Sequence, residues 1–121
     1  MPAMSAEKPQ ASFDTFQGLE IRAGRVTAAE PFPEARNPSM KLTLDFGHPV
    51  GVLESSAQLT RRYSPEVLVG STLLAVVNFP PRRIAGFKSE CLVLGVVNPD
   101  DAGDVVLVRP DDPGSVGWEL G

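Results

Sequence analysis

Leu19-Glu20-Ile21-Arg22-Ala23-Gly24-Arg25-Val26-Thr27-Ala28 alternates apolar and polar residues up to Ala23, loses phase at Gly24, and resumes at Val26 and Ala28. A period of two marks a strand with one face buried. A slip at a glycine predicts a bulge, where a strand bends and coils. A small barrel needs such a first strand if one strand is to pair in both halves of a curved sheet.

The chain that follows suits the same architecture. Met40 to Phe46 alternates cleanly as a second strand, Gly47 to Gly51 turns, and Val52 to Ser55 continues as a third. Ser56 is placed to cap a short helix carrying Leu59 and Tyr63, and Ser64-Pro65-Glu66 begins one more helical turn. The apolar runs Leu73 to Val77 and Cys91 to Val97 read as central strands. Asn98 to Asp104 reads as a loop before a last strand from Val105 to Val108. Upstream, Ser12 and Gly18 bracket Phe13 to Gln17 as a single helical turn. The expectation is an all-β protein, a five-stranded OB-fold barrel with a short helix between strands 3 and 4 and a short N-terminal helical turn. It spans residues 13–121, behind a disordered N-terminal tail of residues 1–12.

Several function classes are poorly served by this chain. At 121 residues it fits one domain. Its first dozen residues hold no signal-peptide core, and no run approaches the ~18 apolar residues of a membrane span. The expected setting is cytoplasmic, without membrane insertion. Cys91 is the one cysteine and His48 the one histidine, so no zinc-type ligand set exists and neither metal nor cofactor is expected. His48 reads as a solvated turn residue and Cys91 as a buried, inert thiol. No nucleophile elbow, phosphate loop or carboxylate cluster is present, so no catalytic residue is assigned and the chain is not expected to be an enzyme.

Charge is unevenly spread. The formal net charge is −4, which by itself argues against a phosphate-rich partner. Residues 36–88 nevertheless carry seven basic groups against three acidic ones, a local excess of four positive charges, while the flanks hold the acid. A basic surface on an acidic protein is therefore feasible. Asn78 to Glu90, read as one loop, concentrates Arg82, Arg83 and Lys88 with Phe79 and Phe87. Cations attract phosphates and flat rings stack on bases, a combination that OB folds present. The same spacing also suits rings that plug a barrel beside solvated arginines, as it suits Arg61 and Arg62 on the wet face of a helix, and the pattern alone leaves this open.

Taken together, Phe13 to Val108 resembles the tRNA-binding OB-domain superfamily, and within it the CsaA export-chaperone family. The stretches that carry the resemblance are Leu19 to Val26, Phe32-Pro33-Glu34-Ala35-Arg36, Lys41-Leu42, Ser55-Ser56-Ala57-Gln58, Arg62-Tyr63-Ser64-Pro65-Glu66 and Val76 to Glu90. Two departures stand out: Pro80 where the broader pattern often has a lysine, and Ala85 where it often has an arginine. The resemblance implies a homodimer that binds tRNA and, in the CsaA branch, a chaperone acting on exported or unfolded polypeptides.

Two site assignments follow. For RNA, Arg36, Lys41, Arg82, Arg83 and Lys88 are expected to contact phosphates, with Ser55, Ser56, Gln58 and Ser89 donating hydrogen bonds at the rim. For a polypeptide-binding chaperone without physiological tRNA binding, apolar grooves beside Phe32, Phe79 and Phe87 are expected. Phe13, Phe16, Val116 and Trp118 lie outside the core strands and are expected to need cover from a second subunit.

Overall fold

The computed structural model describes residues 7–121; of the expected tail, residues 1–6 lie outside the described residues, and residues 7–12 are exposed and carry no helix or strand. Helix α1 is Phe13–Gln17, capped by Ser12, whose Oγ accepts from the Thr15 N–H. Strands β1 (Ile21–Pro31), β2 (Met40–Asp45), β3 (Val52–Ala57), β4 (Thr72–Val76) and β7 (Leu92–Val93) form one antiparallel sheet in the order β3-β2-β1-β4-β7. The sheet curls into a nearly closed barrel. Two hairpins complete the fold: β5 (Arg82–Ile84) with β6 (Phe87–Ser89), and β8 (Gly95–Asn98) with β9 (Asp101–Leu107).

The central strand is β1, which pairs with β4 over Ile21–Arg25 and with β2 over Arg25–Pro31. The bulge sits elsewhere than expected. The register shifts between Val26 and Ala28, at Thr27, whereas Gly24 pairs regularly with Leu73. Packing explains Gly24 instead, since a Cβ there would lie 2.5 Å from Cε1 of the buried Phe46 ring. The glycine breaks the alternation because a ring lies flat on its backbone, not because the strand gains a residue. Below Arg25, the free edge of β1 is covered by the C-terminal segment, through Ala23 N–H to Trp118 O at 3.0 Å and Leu120 N–H to Ile21 O at 2.7 Å.

Met40, Leu42 and Leu44 project inward from β2 to meet Val26, Leu73, Ala75, Leu59 and Leu107, and Leu68 closes the core from α2 (Pro65–Leu68). The helix between β3 and β4 is only this one turn. Ser56 caps nothing: it lies within β3 opposite Lys41, because the strand runs two residues further than its polar serines suggest. The run from Cys91 is likewise not one central strand. It breaks into β7 and β8, and Leu92, Val96 and Val97 stand exposed. Asn98 to Asp104, read as a loop, is mostly hairpin, since Asp101 and Asp104 are neutralised by Arg61 and Arg62 from the β3–α2 connection. Among the described residues, every buried side-chain nitrogen and oxygen has a hydrogen-bond partner.

Candidate nucleic-acid interface

The alternation that buries Met40, Leu42 and Leu44 turns Lys41, Thr43 and Asp45 to the outside. Register then assembles rows across the sheet. Glu30, Lys41 and Ser56 form one, and Ala28, Thr43 and Glu54 the next. This β2–β3 face, flanked by the β1–β2 connection and by the β5–β6 hairpin within the β4–β7 connection, corresponds to the face and loops with which OB folds hold oligonucleotides.

The β5–β6 hairpin stands at the β3 end of the Lys41 row. Its turn, Ala85-Gly86, has φ of 48° and 82°, the left-handed pair that a two-residue hairpin loop demands. It docks on β3 largely through side chains. Ser56 N–H donates to Ser89 Oγ at 3.0 Å, Glu54 N–H to Glu90 Oε1 at 3.0 Å, and Glu90 N–H to Glu54 O at 2.7 Å. Cross-strand partners share a face. Arg83 and Lys88 therefore stand together on one face, and Arg82, Ser89, Ile84 and Phe87 on the other.

Phe87 turns toward the β1–β2 connection, where its ring meets Phe32 edge-on with centroids 5.4 Å apart. The Lys41 ammonium lies over both, 4.7 Å from the Phe32 centroid and 5.2 Å from that of Phe87. Arg36, in the same connection as Phe32, lines a cleft with it. Lys41 thus caps the aromatic pair, Arg36 shares a cleft with Phe32, and on the hairpin Arg82 shares the face of Phe87 while Arg83 and Lys88 take the other. The acidic neighbours of Lys41 are Glu30 and Glu54, which share a small cleft with it.

Ion pairing separates three of the eleven cations from the rest. Arg22 bonds Glu20 at 2.6 Å and pairs with Glu119 at 3.6 Å; Arg61 pairs with Asp101; Arg62 holds Asp104 with two bonds, the longer 3.0 Å. Among the described residues no carboxylate lies within 4 Å of Arg36, Lys41, Arg82, Arg83 or Lys88. The Arg62 guanidinium, with the Asn98 amide, holds the Asp104 carboxyl down at about 2.

Other expected site residues fall elsewhere. Ser55 is wholly buried and its Oγ donates to Cys91 O at 2.8 Å, so it faces the barrel interior and not the rim. Gln58 is exposed beyond the end of β3, in a cleft with Asn37, Thr60 and Arg61. The three rings do not form an open groove: Phe32 is 2% exposed, Phe87 half-buried beneath Lys41, and only Phe79 is open, at 43%. Sequence reasoning also missed that Phe32, Phe87 and Lys41 form one cluster, since they lie far apart in the chain and no local signal links them. Cys91 is buried, which pushes its thiol up to about 12, so it stays protonated and unreactive near neutrality.

Comparisons with known proteins identify the family. A family model described as "Putative tRNA binding domain" matches residues 21–119. The methionine–tRNA ligase of Chlorobium chlorochromatii is 36% identical over 113 residues, covering 93% of this chain but 15% of the ligase. That of Methanothrix thermoacetophila is 34% identical over 105 residues, covering 87% of this chain and again 15% of the ligase. The chain thus spans a small part of those curated relatives. The crystal structure of the chaperone CsaA from Bacillus anthracis superposes with a TM-score of 0.87 at 52% identity, covering 93% of this chain and 100% of that one. The CsaA chaperone of Picrophilus torridus gives 0.84 at 37% identity, with the same coverage. Matched by that family model over most of its length and by CsaA chaperones along the whole of theirs, the chain belongs to the tRNA-binding domain family, in the branch that CsaA represents.

Proposed function

We propose that the protein binds tRNA without catalysing a reaction on it, in the manner of a CsaA-type protein, along the lip formed by β2, the β1–β2 connection and the β5–β6 hairpin. The observation that carries this reading is the division of the cations. Those that fasten the fold, Arg22, Arg61 and Arg62, have carboxylate partners, while among the described residues the other cations have none: Arg36, Lys41, Arg82, Arg83 and Lys88 gather at the lip, and Lys8, Arg25 and Arg109 lie apart in the N-terminal segment, on β1 and after β9. A cation without an internal partner is available to neutralise phosphate and release counterions. Arg83 and Lys88 oppose each other across the hairpin, where like charges cost stability, and a bound phosphate relieves that cost. Ser56 and Ser89 shape the lip by bonding to each other, and Gln58 extends the surface beyond β3.

Likeness to CsaA chaperones supports a second activity toward unfolded or exported polypeptides in the cytoplasm. The buried position of Phe32 moves the apolar surface for this activity away from the lip. Leu92, Val96, Val97 and Val106, on β7 to β9, expose more apolar area and suit it better. A homodimer completes the proposal: Phe13 and Trp118 are 69% and 70% exposed, and Phe13, Phe16 and Leu120 line a recess of about 290 Å³ that a second subunit would fill. No helix among the described residues is long and apolar enough to cross a membrane.

Binding of bulk tRNA, measured beside suppression of aggregation of an unfolded protein, tests the reading. The double variant Arg82→Glu, Arg83→Glu is expected to lose tRNA affinity by roughly tenfold or more while keeping its anti-aggregation activity. Equal loss of both would favour one shared site. Failure of the unaltered protein to bind tRNA would leave a polypeptide-binding chaperone as the better account, and a monomer in sedimentation at micromolar concentration would remove the dimer.

A further inference from the structure

Of the cations proposed to bind RNA, Lys41 sits on β2, but Arg36 and the trio Arg82, Arg83 and Lys88 lie in two segments outside the five-stranded sheet. The β5–β6 hairpin has three residues in each strand, and an isolated two-stranded hairpin is marginal in water. The β1–β2 connection, from Phe32 to Ser39, contains no regular element. A flexible binding segment loses affinity to the entropy of ordering it, so something must set its position beforehand.

We propose that Phe32 and Phe87 are positioning residues for the RNA-binding lip, with Lys41 the strap that joins them. Phe32 anchors the β1–β2 connection, since its ring is buried and its N–H donates to Ser39 O at 3.0 Å. Phe87 anchors the hairpin from the face opposite to Arg83 and Lys88. Their edge-to-face contact, with the Lys41 ammonium over both rings, ties the two segments across the end of the barrel. The connection that bears Arg36 lies on one side of the tie and the hairpin that bears Arg82, Arg83 and Lys88 on the other. The rings act without touching RNA, because Lys41 covers them. This inference rests on the RNA-binding reading of the same lip and adds the source of its order.

The test uses the full chain and the variant Phe87→Leu, with Phe87→Tyr as the conservative control that keeps an aromatic edge. Amide hydrogen exchange without RNA reads the order of the hairpin. Phe87→Leu is expected to speed exchange at residues 83–88 by roughly tenfold, with amides of β4 unchanged to show that the barrel is intact. Its affinity for bulk tRNA is expected to fall by a similar factor, while the dependence on salt keeps its slope because every cation remains. Phe87→Tyr is expected to restore both. Lost affinity with unchanged exchange would overturn the inference in favour of direct stacking of Phe87 on a base, and faster exchange with unchanged affinity would overturn it by making hairpin order irrelevant to binding. If the unaltered protein bound no tRNA, the functional reading would fail along with the role in RNA binding, while the exchange data would still decide whether the aromatic pair orders the hairpin.

Discussion

Arg83 and Lys88 face each other directly across the β5–β6 ladder, and among the described residues no carboxylate lies within 4 Å of either. A fold optimised for its own stability would place an acid at one of these positions. The arrangement gives up local stability in exchange for a pair of cations on one face that no carboxylate neutralises, Arg83 holding only the Gly86 carbonyl at 3.4 Å.

That relationship predicts opposite effects from one substitution. Arg83→Glu converts a repulsive pair into an attractive one and is expected to stabilise the free protein by about 0.2–1 kcal/mol. It is also expected to weaken tRNA binding, since one phosphate contact is replaced by a repulsion. Thermal unfolding without RNA and tRNA titration measure the two effects. A variant less stable than the unaltered protein, or one that binds RNA equally well, would contradict the assignment.

Gly24 is held to glycine by the Phe46 ring. Gly24→Ala sets a Cβ 2.5–2.9 Å from three carbons of a ring that is 1% exposed. Overpacking of this kind is expected to cost about 1–3 kcal/mol in denaturant unfolding. A bulge at Gly24 would tolerate the methyl group and give a smaller effect.

How far this was legible in the sequence depended on how local each cause is. The alternation of β2 was legible because the strand has one dry and one wet face, and the pairing of β1 on both edges was expected from a bulge, although the bulge lies at Thr27 and not at Gly24. The cause of the slip was not, because a bulge and a close ring both call for glycine, and Phe46 is a distant residue. The turn at Ala85-Gly86 lacks the usual Asn-Gly or Asp-Gly signal, so the hairpin read as a loop. Ser55 read as a rim donor because a serine in a strand gives no hint of which face it takes; its bond to Cys91 O spans 36 residues.

Ser55 therefore offers a control for the binding site. Ser55→Ala leaves a buried carbonyl short of its donor and is expected to cost about 1–3 kcal/mol of stability. The folded fraction is expected to bind tRNA with unchanged affinity, as measured by titration well below the unfolding temperature.

Asp104 sets a pH dependence with a definite sign. Its carboxyl is held below the ordinary 3.8, down to about 2, first by the hydrogen bond from Arg62 and then by that from Asn98. The folded state therefore binds this proton less readily than the unfolded state. The stabilisation it contributes is fully present above the ordinary value and is lost as pH falls from there through about 2. Asp104→Asn is expected to lower stability at neutral pH and to flatten the acid limb of stability against pH over that interval. An acid limb identical to that of the unaltered protein would contradict the pairing.

The most direct test of the central claim, that unpaired cations at one end of the barrel hold a phosphate backbone, is the affinity for bulk tRNA as a function of monovalent salt. Three to five engaged cations predict a straight line in log affinity against log salt with a slope between roughly −2 and −4.5. A slope near zero, with affinity retained at high salt, would contradict it.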